Sequence, residues 1–200
     1  MHGFMARTQS ADYDKRREAI METAAVLYAK KGFLGASVAE LAEACETSKS
    51  LIYHYYPSKE DILYDVMDSH VQSLVEAATR IEAGTGTAET RLRMLAHELM
   101  NLYNGAQACQ KILLNELPNL PEARRAIIVK HQRDVLDVVD RLVIAIRPSL
   151  ANKPHQRRPI VMMFFGMLNW THIWFDPTGP VKADSVADLA TDMFLGGLPA

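Results

Sequence analysis

The chain has only two cysteines, Cys45 and Cys109, and their wide separation supplies neither a disulfide framework nor a metal-ligand pair. Reducing surroundings suit such a chain, and a cytoplasmic protein is expected. No uninterrupted apolar run reaches the roughly 18 to 20 residues that span a bilayer, and no signal-like apolar core stands at the start of the sequence. Neither membrane insertion nor export is therefore expected. An excess of positive charge is also missing: 22 basic residues stand against 24 acidic ones, a formal charge of −2. Any affinity for nucleic acid must come from where charges sit and not from their sum. Enzyme signatures are equally scarce. His97-Glu98 has no second histidine at metalloprotease spacing, no Gly-x-Ser-x-Gly occurs, and Gly84-Thr85-Gly86-Thr87 lacks the lysine and strand of a phosphate loop. No catalytic residue, metal or cofactor is expected.

What is present is 200 residues of ordinary globular composition, 48% hydrophobic and 23% charged, enough for one to two domains. No strand or repeat signal competes with helical periodicity. Met1 to Phe4 precede a second methionine, Met5, and are given no role; residues 1–10 read as a flexible polar arm. A first helix from about Asp12 to Lys31 carries Ile20, Ala24, Leu27 and Tyr28 on one face and stops at Gly32. Lys15-Arg16-Arg17 crowd its early turns, where cations oppose the helix dipole, so DNA phosphate is one candidate partner for them.

The next stretch, Ser37 to Lys59, organises the rest. Ser37 can cap a helix carrying Val38, Leu41, Ala42 and Cys45 at i, i+3, i+4 and i+7, and a turn through Cys45-Glu46-Thr47 leads to a second cap, Ser48. Leu51 and Ile52 can anchor the helix that follows, leaving Lys49, Ser50, Tyr53 and His54 to an outer surface. Pro57 ends it, and Ser58 caps a long helix running to about Ala83. Further helices are expected over 88–103, 106–115, 121–146 and 184–195. Ile160 to Phe175 is apolar nearly all round and must be buried all round, so part of it is expected to face a second copy of the chain. The whole is an all-α fold of about nine helices, divided as an arm (1–10), a helix-turn-helix domain (11–60), and a larger helical domain (61–200) that includes the segment expected to face a second copy.

Ala19-Ile20 to Gly32-Phe33, Ser37-Val38 to Ala44, Ser48 to Tyr56 and Ser58 to Leu63 together resemble the DNA-binding domain of the TetR family of bacterial repressors. One position departs from that pattern: Glu46 stands where glycine is usual and where a left-handed backbone is wanted. Asn115-Glu116-Leu117, Phe165 to Trp170, Trp174 to Pro177 and Phe194 to Leu198 are similar to members answering acyl-CoA thioesters, chiefly repressors of phenylacetate catabolism. The resemblance implies a homodimer, joined through its C-terminal helices, that represses transcription from a palindromic operator. Release would come from an effector such as phenylacetyl-CoA.

Carried over position by position, the resemblance places Ser48 on a phosphate and Lys49 and Ser50 on base edges or phosphates. Tyr53 and His54 would flank the groove, Ser37 and Lys59 would clamp the backbone, and Arg7 would reach the minor groove. Tyr55 divides evenly between packing and DNA contact, whereas Tyr56 belongs to the packing. For the effector, Met67, Met100, Tyr103, Met163, Phe164, Asn169, Trp170 and His172 offer an apolar cavity with a few polar groups. Arg124 and Arg125, with Lys130, Arg157 and Arg158, are candidate partners for CoA phosphates. The long helix from Asp61 is the natural lever between the two functions. The competing readings are a regulator answering a hydrophobic ligand other than a CoA ester, and a helical protein–protein adaptor.

Overall fold

The computed structural model describes residues 3–199, with side chains from residue 12 onward. Ten α-helices and two 3-10 turns make up the described residues, with no strand among them. Helix α1 is Gly3–Lys31, α2 Val38–Ala44, α3 Lys49–Tyr55, α4 Lys59–Glu82, α5 Ala88–Gly105 and α6 Gln107–Asn115. Then come α7 Glu122–Ile146, α8 Pro154–Asn169, α9 Thr171–Trp174 and α10 Ala183–Gly196. The 3-10 turns are Leu117–Asn119 and Pro148–Leu150. Helices α8 and α9 are one apolar segment broken at Trp170, so the all-α expectation of about nine rods holds.

Two boundaries differ from expectation. Helix α1 begins at Gly3, which gives helical backbone to residues expected to form an arm; the side chain of Arg7 lies outside the described residues. Helix α8 begins at Pro154, not near Ile160. Proline suits the first helical position, where its missing N–H would have no partner anyway, and Pro159 forfeits one further bond.

The chain forms two compact units: Met1–His70 with Ala108–Ala126, and Val71–Gln107 with Ile127–Ala200. This division differs from the expected break at residue 60, because α6 and the start of α7 fold with the N-terminal helices. In the first unit Ile20, Ala24, Tyr28, Leu41, Ile52, Tyr56, Ile62, Leu63 and Met67 are buried. Gly32 ends α1 at φ 76°, a left-handed conformation that glycine adopts without strain. At Gly35 a side chain would start 2.5 Å from the Lys31 carbonyl oxygen, so the α1–α2 linker closes as tightly as backbone allows.

In the second unit α10 packs chiefly on α5, and buried residues include Leu92, Leu95, Leu99, Val139, Leu142, Phe164, Leu168 and Phe194. Outward from this core, Met163, Trp170, Ile173 and Trp174 of the α8–α9 segment and Leu189 and Met193 of α10 are all exposed. The α5–α10 seam ends in charge: Arg93 Nη1 lies 3.0 Å from Asp188 and Nη2 2.5 Å from Asp192. Beside it, His97 Nδ1 is 2.9 Å from Asp184 Oδ1 and Nε2 2.9 Å from Asp188 Oδ1. Partial burial works to lower the imidazole pKa, but hydrogen bonds to both carboxylates outweigh it and raise the pKa.

A histidine with a raised folded pKa stabilises fully below its unfolded value, and the gain vanishes as pH rises through the folded value. The melting temperature is therefore expected to fall as pH climbs above the ordinary imidazole value of about 6.5. His97→Gln should remove that slope in a pH series of thermal melts.

No helix among the described residues is long and apolar enough to cross a membrane. Both cysteines are free thiols, half-buried.

Candidate nucleic-acid interface

Helix α2 starts at a complete capping box. The Ser37 hydroxyl accepts from the Glu40 N–H (3.2 Å), and the Glu40 carboxylate accepts from the Ser37 N–H (2.8 Å). Lys31 Nζ adds an ion pair to Glu40 at 2.5 Å. Hydrogen bonds from Lys31, then from the Ser37 N–H and hydroxyl, hold the Glu40 carboxyl at a pKa of about 2. The Ser37 hydroxyl expected on DNA phosphate is thus also the cap of its own helix.

The α2–α3 turn ends α2 by a Schellman pattern, with Thr47 N–H donating to Ala42 O (2.8 Å) and Glu46 N–H to Glu43 O (3.0 Å). That geometry requires a left-handed residue, and Glu46 takes it at φ 50° as the one described non-glycine residue with positive φ. The conformation costs about 1 kcal/mol in a side-chain-bearing residue. Glu46→Gly should therefore stabilise the protein by up to about 1 kcal/mol, less the flexibility glycine adds to the unfolded chain. Thermal melts should show a rise of about 1 to 3 °C with the helix content unchanged.

Helix α3 has only seven residues, fewer than an isolated helix needs. Three features hold it: the Ser48 hydroxyl, which accepts from Leu51 N–H at 3.2 Å; Ile52, fully buried; and Leu51, half-buried. With the helix pinned on that side, Lys49, Ser50, Tyr53 and His54 are left exposed together, as expected from the spacing. This exposed row is the candidate reading surface.

Two other expected contacts are placed differently. Lys59 turns inward: its ammonium donates to the Phe33 carbonyl and sits 4.1 Å from the Phe33 ring centroid and 5.7 Å from that of Tyr28. Desolvation lowers its pKa, against Glu60, Glu116 and Glu40. The charge expected on DNA backbone instead joins the α1–α2 linker to the start of α4. Arg17 likewise meets protein: it pairs with Asp65 (2.9 Å) and lies 5.1 Å over the Tyr56 ring. Tyr56, buried as expected, donates its hydroxyl to Asp65 at 2.5 Å. Tyr55 is half-buried and stacks on Tyr13 of α1, centroids 4.6 Å apart.

Tyr13 was not among the expected site residues. Its signal was available, since it stands seven positions before Ile20 and four before Arg17 on the inward stripe of α1. Glu116 is a second unanticipated fastening. One carboxylate oxygen accepts from the Phe33 N–H (3.2 Å) and the other from Asn119 Nδ2 (2.6 Å), tying the α6 end to the α1–α2 linker.

The expected effector residues divide. Met67 is buried in the first unit; Met100, Tyr103 and Phe164 are buried in the second, where the Thr171 hydroxyl approaches Met100 Sδ at 3.9 Å. Phe164 meets Phe165 and Phe194 edge-on. Asn169 and His172 are half-buried, and because the Asn169 carbonyl can only accept, His172 Nδ1 carries the proton of their 2.7 Å bond. Trp170 and Met163 are not core residues at all, being 63% and 67% exposed. Met163 lies on the outer side of α8 and Trp170 at the break after it, in a segment whose all-round apolar sequence cannot show which face turns inward.

The basic candidates divide as well. Arg124 pairs with Asp61 at the start of α4 and covers the Tyr64 ring at 5.0 Å, so it closes the first unit. Arg125 is half-buried on the same turn. Arg157 is held by Asp140 (2.8 Å) and by the carbonyls of Leu150 and Ala151. Arg158, by contrast, is exposed on the rim of a cleft of about 220 Å³ with Leu136, Val161 and Met162.

Two family models match the chain: bacterial regulatory proteins of the tetR family over residues 20–66, and the tetracyclin repressor-like C-terminal domain over 85–198. The chain belongs to the TetR family. A TetR-family transcriptional regulator from Bordetella parapertussis 12822 is similar in structure, with 32% identity, a TM-score of 0.87, and 92% of this chain covering 98% of that one. AibR, solved with isovaleryl coenzyme A and operator DNA, has 27% identity and a TM-score of 0.79 over 89% of this chain and 97% of its own. The transcriptional repressor KstR2 of Mycolicibacterium smegmatis is 24% identical over 197 residues, 92% of this chain and 90% of its own. As a TetR-family DNA-binding regulator, the chain carries its helix-turn-helix in α2 and α3.

Proposed function

We propose that this TetR-family regulator is a repressor, and not an enzyme, that binds a palindromic operator as a homodimer in the cytoplasm. Its effector is an apolar acyl- or aryl-CoA, phenylacetyl-CoA being the first to test. The observation that carries the DNA reading is the row Lys49, Ser50, Tyr53 and His54, exposed on a helix capped by Ser48 and anchored by Ile52. Base edges read by such a row specify sequence, while its cation and hydroxyls fix register on phosphates.

A second copy is supported by the exposed Met163, Trp170, Ile173 and Trp174 with Leu189 and Met193. Apolar surface of this kind marks an interaction site, and a two-fold dimer presents two recognition helices to half-sites about 34 to 36 Å apart. The CoA class is supported by AibR, solved with an acyl-CoA, and by the apolar core around Met100, Tyr103 and Phe164. Linkage then requires that operator and effector weaken each other equally.

Mobility shifts on the DNA upstream of the protein's own gene test the reading at low salt without effector. An unshifted band would overturn it. Lys49→Ala, altering both protomers, should reduce the slope of log affinity against log salt by about 2, whereas Lys182→Ala should leave it unchanged. Release by a CoA thioester, and not by the corresponding free acid, would single out the CoA class. Calorimetry giving equal phenylacetyl-CoA affinity with and without operator would exclude it as the effector.

A further inference from the structure

We propose that Tyr13 is a positioning residue for DNA recognition, orienting His54 and Tyr55 on the last turn of the recognition helix so that His54 meets the same DNA group in every complex. The proposal rests on α3 being the DNA reader. Three rings close a triangle across two helices. Tyr13 of α1 lies 4.6 Å from Tyr55 with planes 35° apart, and 6.2 Å from His54 at 79°. His54 and Tyr55 are 5.3 Å apart at 83°. Both contacts of His54 are the edge-on arrangement that aromatic quadrupoles favour, and Tyr13 and Tyr55 meet tilted at a centroid distance typical of interacting rings.

Packing of the core does not account for Tyr13, which is 38% exposed. It continues the inward stripe of α1 one turn past Arg17 and Ile20, to where the ring partners it meets are those on the end of α3. His54 itself is exposed, and an exposed imidazole without a neighbour is free to change rotamer. Ordering a free side chain at an interface weakens binding, so a group already held by Tyr13 meets DNA with less loss. The cap at Ser48 and the anchor at Ile52 secure the start and middle of α3; Tyr13 secures its end.

The test begins with duplexes selected from a random pool by the full-length protein. Anisotropy titrations then compare Tyr13→Ala, Tyr13→Phe, His54→Ala and the Tyr13→Ala/His54→Ala double variant. Tyr13→Ala should weaken binding about three- to tenfold, the scale of an aromatic pair, and lose the same base preference that His54→Ala loses. Tyr13→Phe should bind within about twofold of the parent, and the double variant should be no weaker than His54→Ala, since the two act through one contact.

Losses that multiply in the double variant would overturn the proposal. So would a Tyr13→Phe variant as weak as Tyr13→Ala, which would put the hydroxyl itself on DNA. A Tyr13→Ala variant that melts earlier but keeps every base preference would reduce Tyr13 to packing and also overturn it. Failure of the parent to enrich any duplex would instead overturn the DNA reading, before any variant is made, and this proposal with it.

Discussion

Replacing Ile52 with alanine is expected to abolish specific operator binding, lowering affinity about a hundredfold or more. Helix α3 is too short to persist alone, and Ile52 is its one fully buried side chain. Truncating a buried isoleucine removes about 2 to 5 kcal/mol of packing, comparable to all that holds one seven-residue helix in place. If α3 is docked in only about a tenth of protomers, apparent affinity falls about tenfold for each half-site, and the proposed dimer needs two. Anisotropy with operator duplex measures the loss, while light scattering should still find a species of about twice 22.4 kDa. An Ile52→Ala variant binding operator within about threefold of the parent would show that the Ser48 cap and Leu51 suffice.

The second large effect lies at Asp65. Its carboxylate accepts the buried Tyr56 hydroxyl at 2.5 Å and pairs with Arg17 at 2.9 Å. Asp65→Ala leaves that hydroxyl with only the Arg17 carbonyl, at 3.3 Å, and leaves the Arg17 guanidinium over the Tyr56 ring without its counter-charge. The Arg17 side chain is 44% exposed, so the ion pair itself contributes little. The hydrogen bond to a charged acceptor dominates, and the expected loss is about 2 to 3 kcal/mol. Thermal melts should fall by about 4 to 10 °C. Tyr56→Phe should reproduce most of that loss and Arg17→Ala little of it. The opposite ranking would make the ion pair the main contributor.

Both effects concern residues whose roles differ in how far sequence revealed them. Ile52 was legible: the caps at Ser37, Ser48 and Ser58, and the alternation of buried and exposed positions between them, are local hydrogen bonds and helical periodicity. Glu46 was legible for the same reason, because a left-handed turn residue is a requirement of four or five consecutive residues. Asp65 was not, since nothing within one helical turn announces that it will meet Tyr56 and Arg17. Lys59 misled, because a cation at a helix start looks free for phosphate until Phe33 and Tyr28 are brought beside it.

The C-terminal two thirds were legible as helices and obscure as a site. Periodicity distinguishes a face from its opposite only when the two differ, and along α8 they do not. Trp170 and Met163 therefore read as pocket and lie on the surface. Arg124 and Arg157 read as phosphate partners and are held by Asp61 and Asp140, carboxylates on other helices.

By itself, the sequence determined the capped helices of an all-α fold and the exposed row on α3, which follow from interactions within a turn or two of chain. The TetR type and the left-handed turn at Glu46 were legible through the family resemblance of the same stretch. Only the tertiary structure decided that Lys59 and Arg17 are engaged by protein groups, that Glu116 and Arg124 tie the α6–α7 segment to the N-terminal helices, and that Tyr13 completes a ring cluster with His54 and Tyr55. Those pairings join residues from 26 to 83 positions apart, and chain distance carries no signal for them until helices pack.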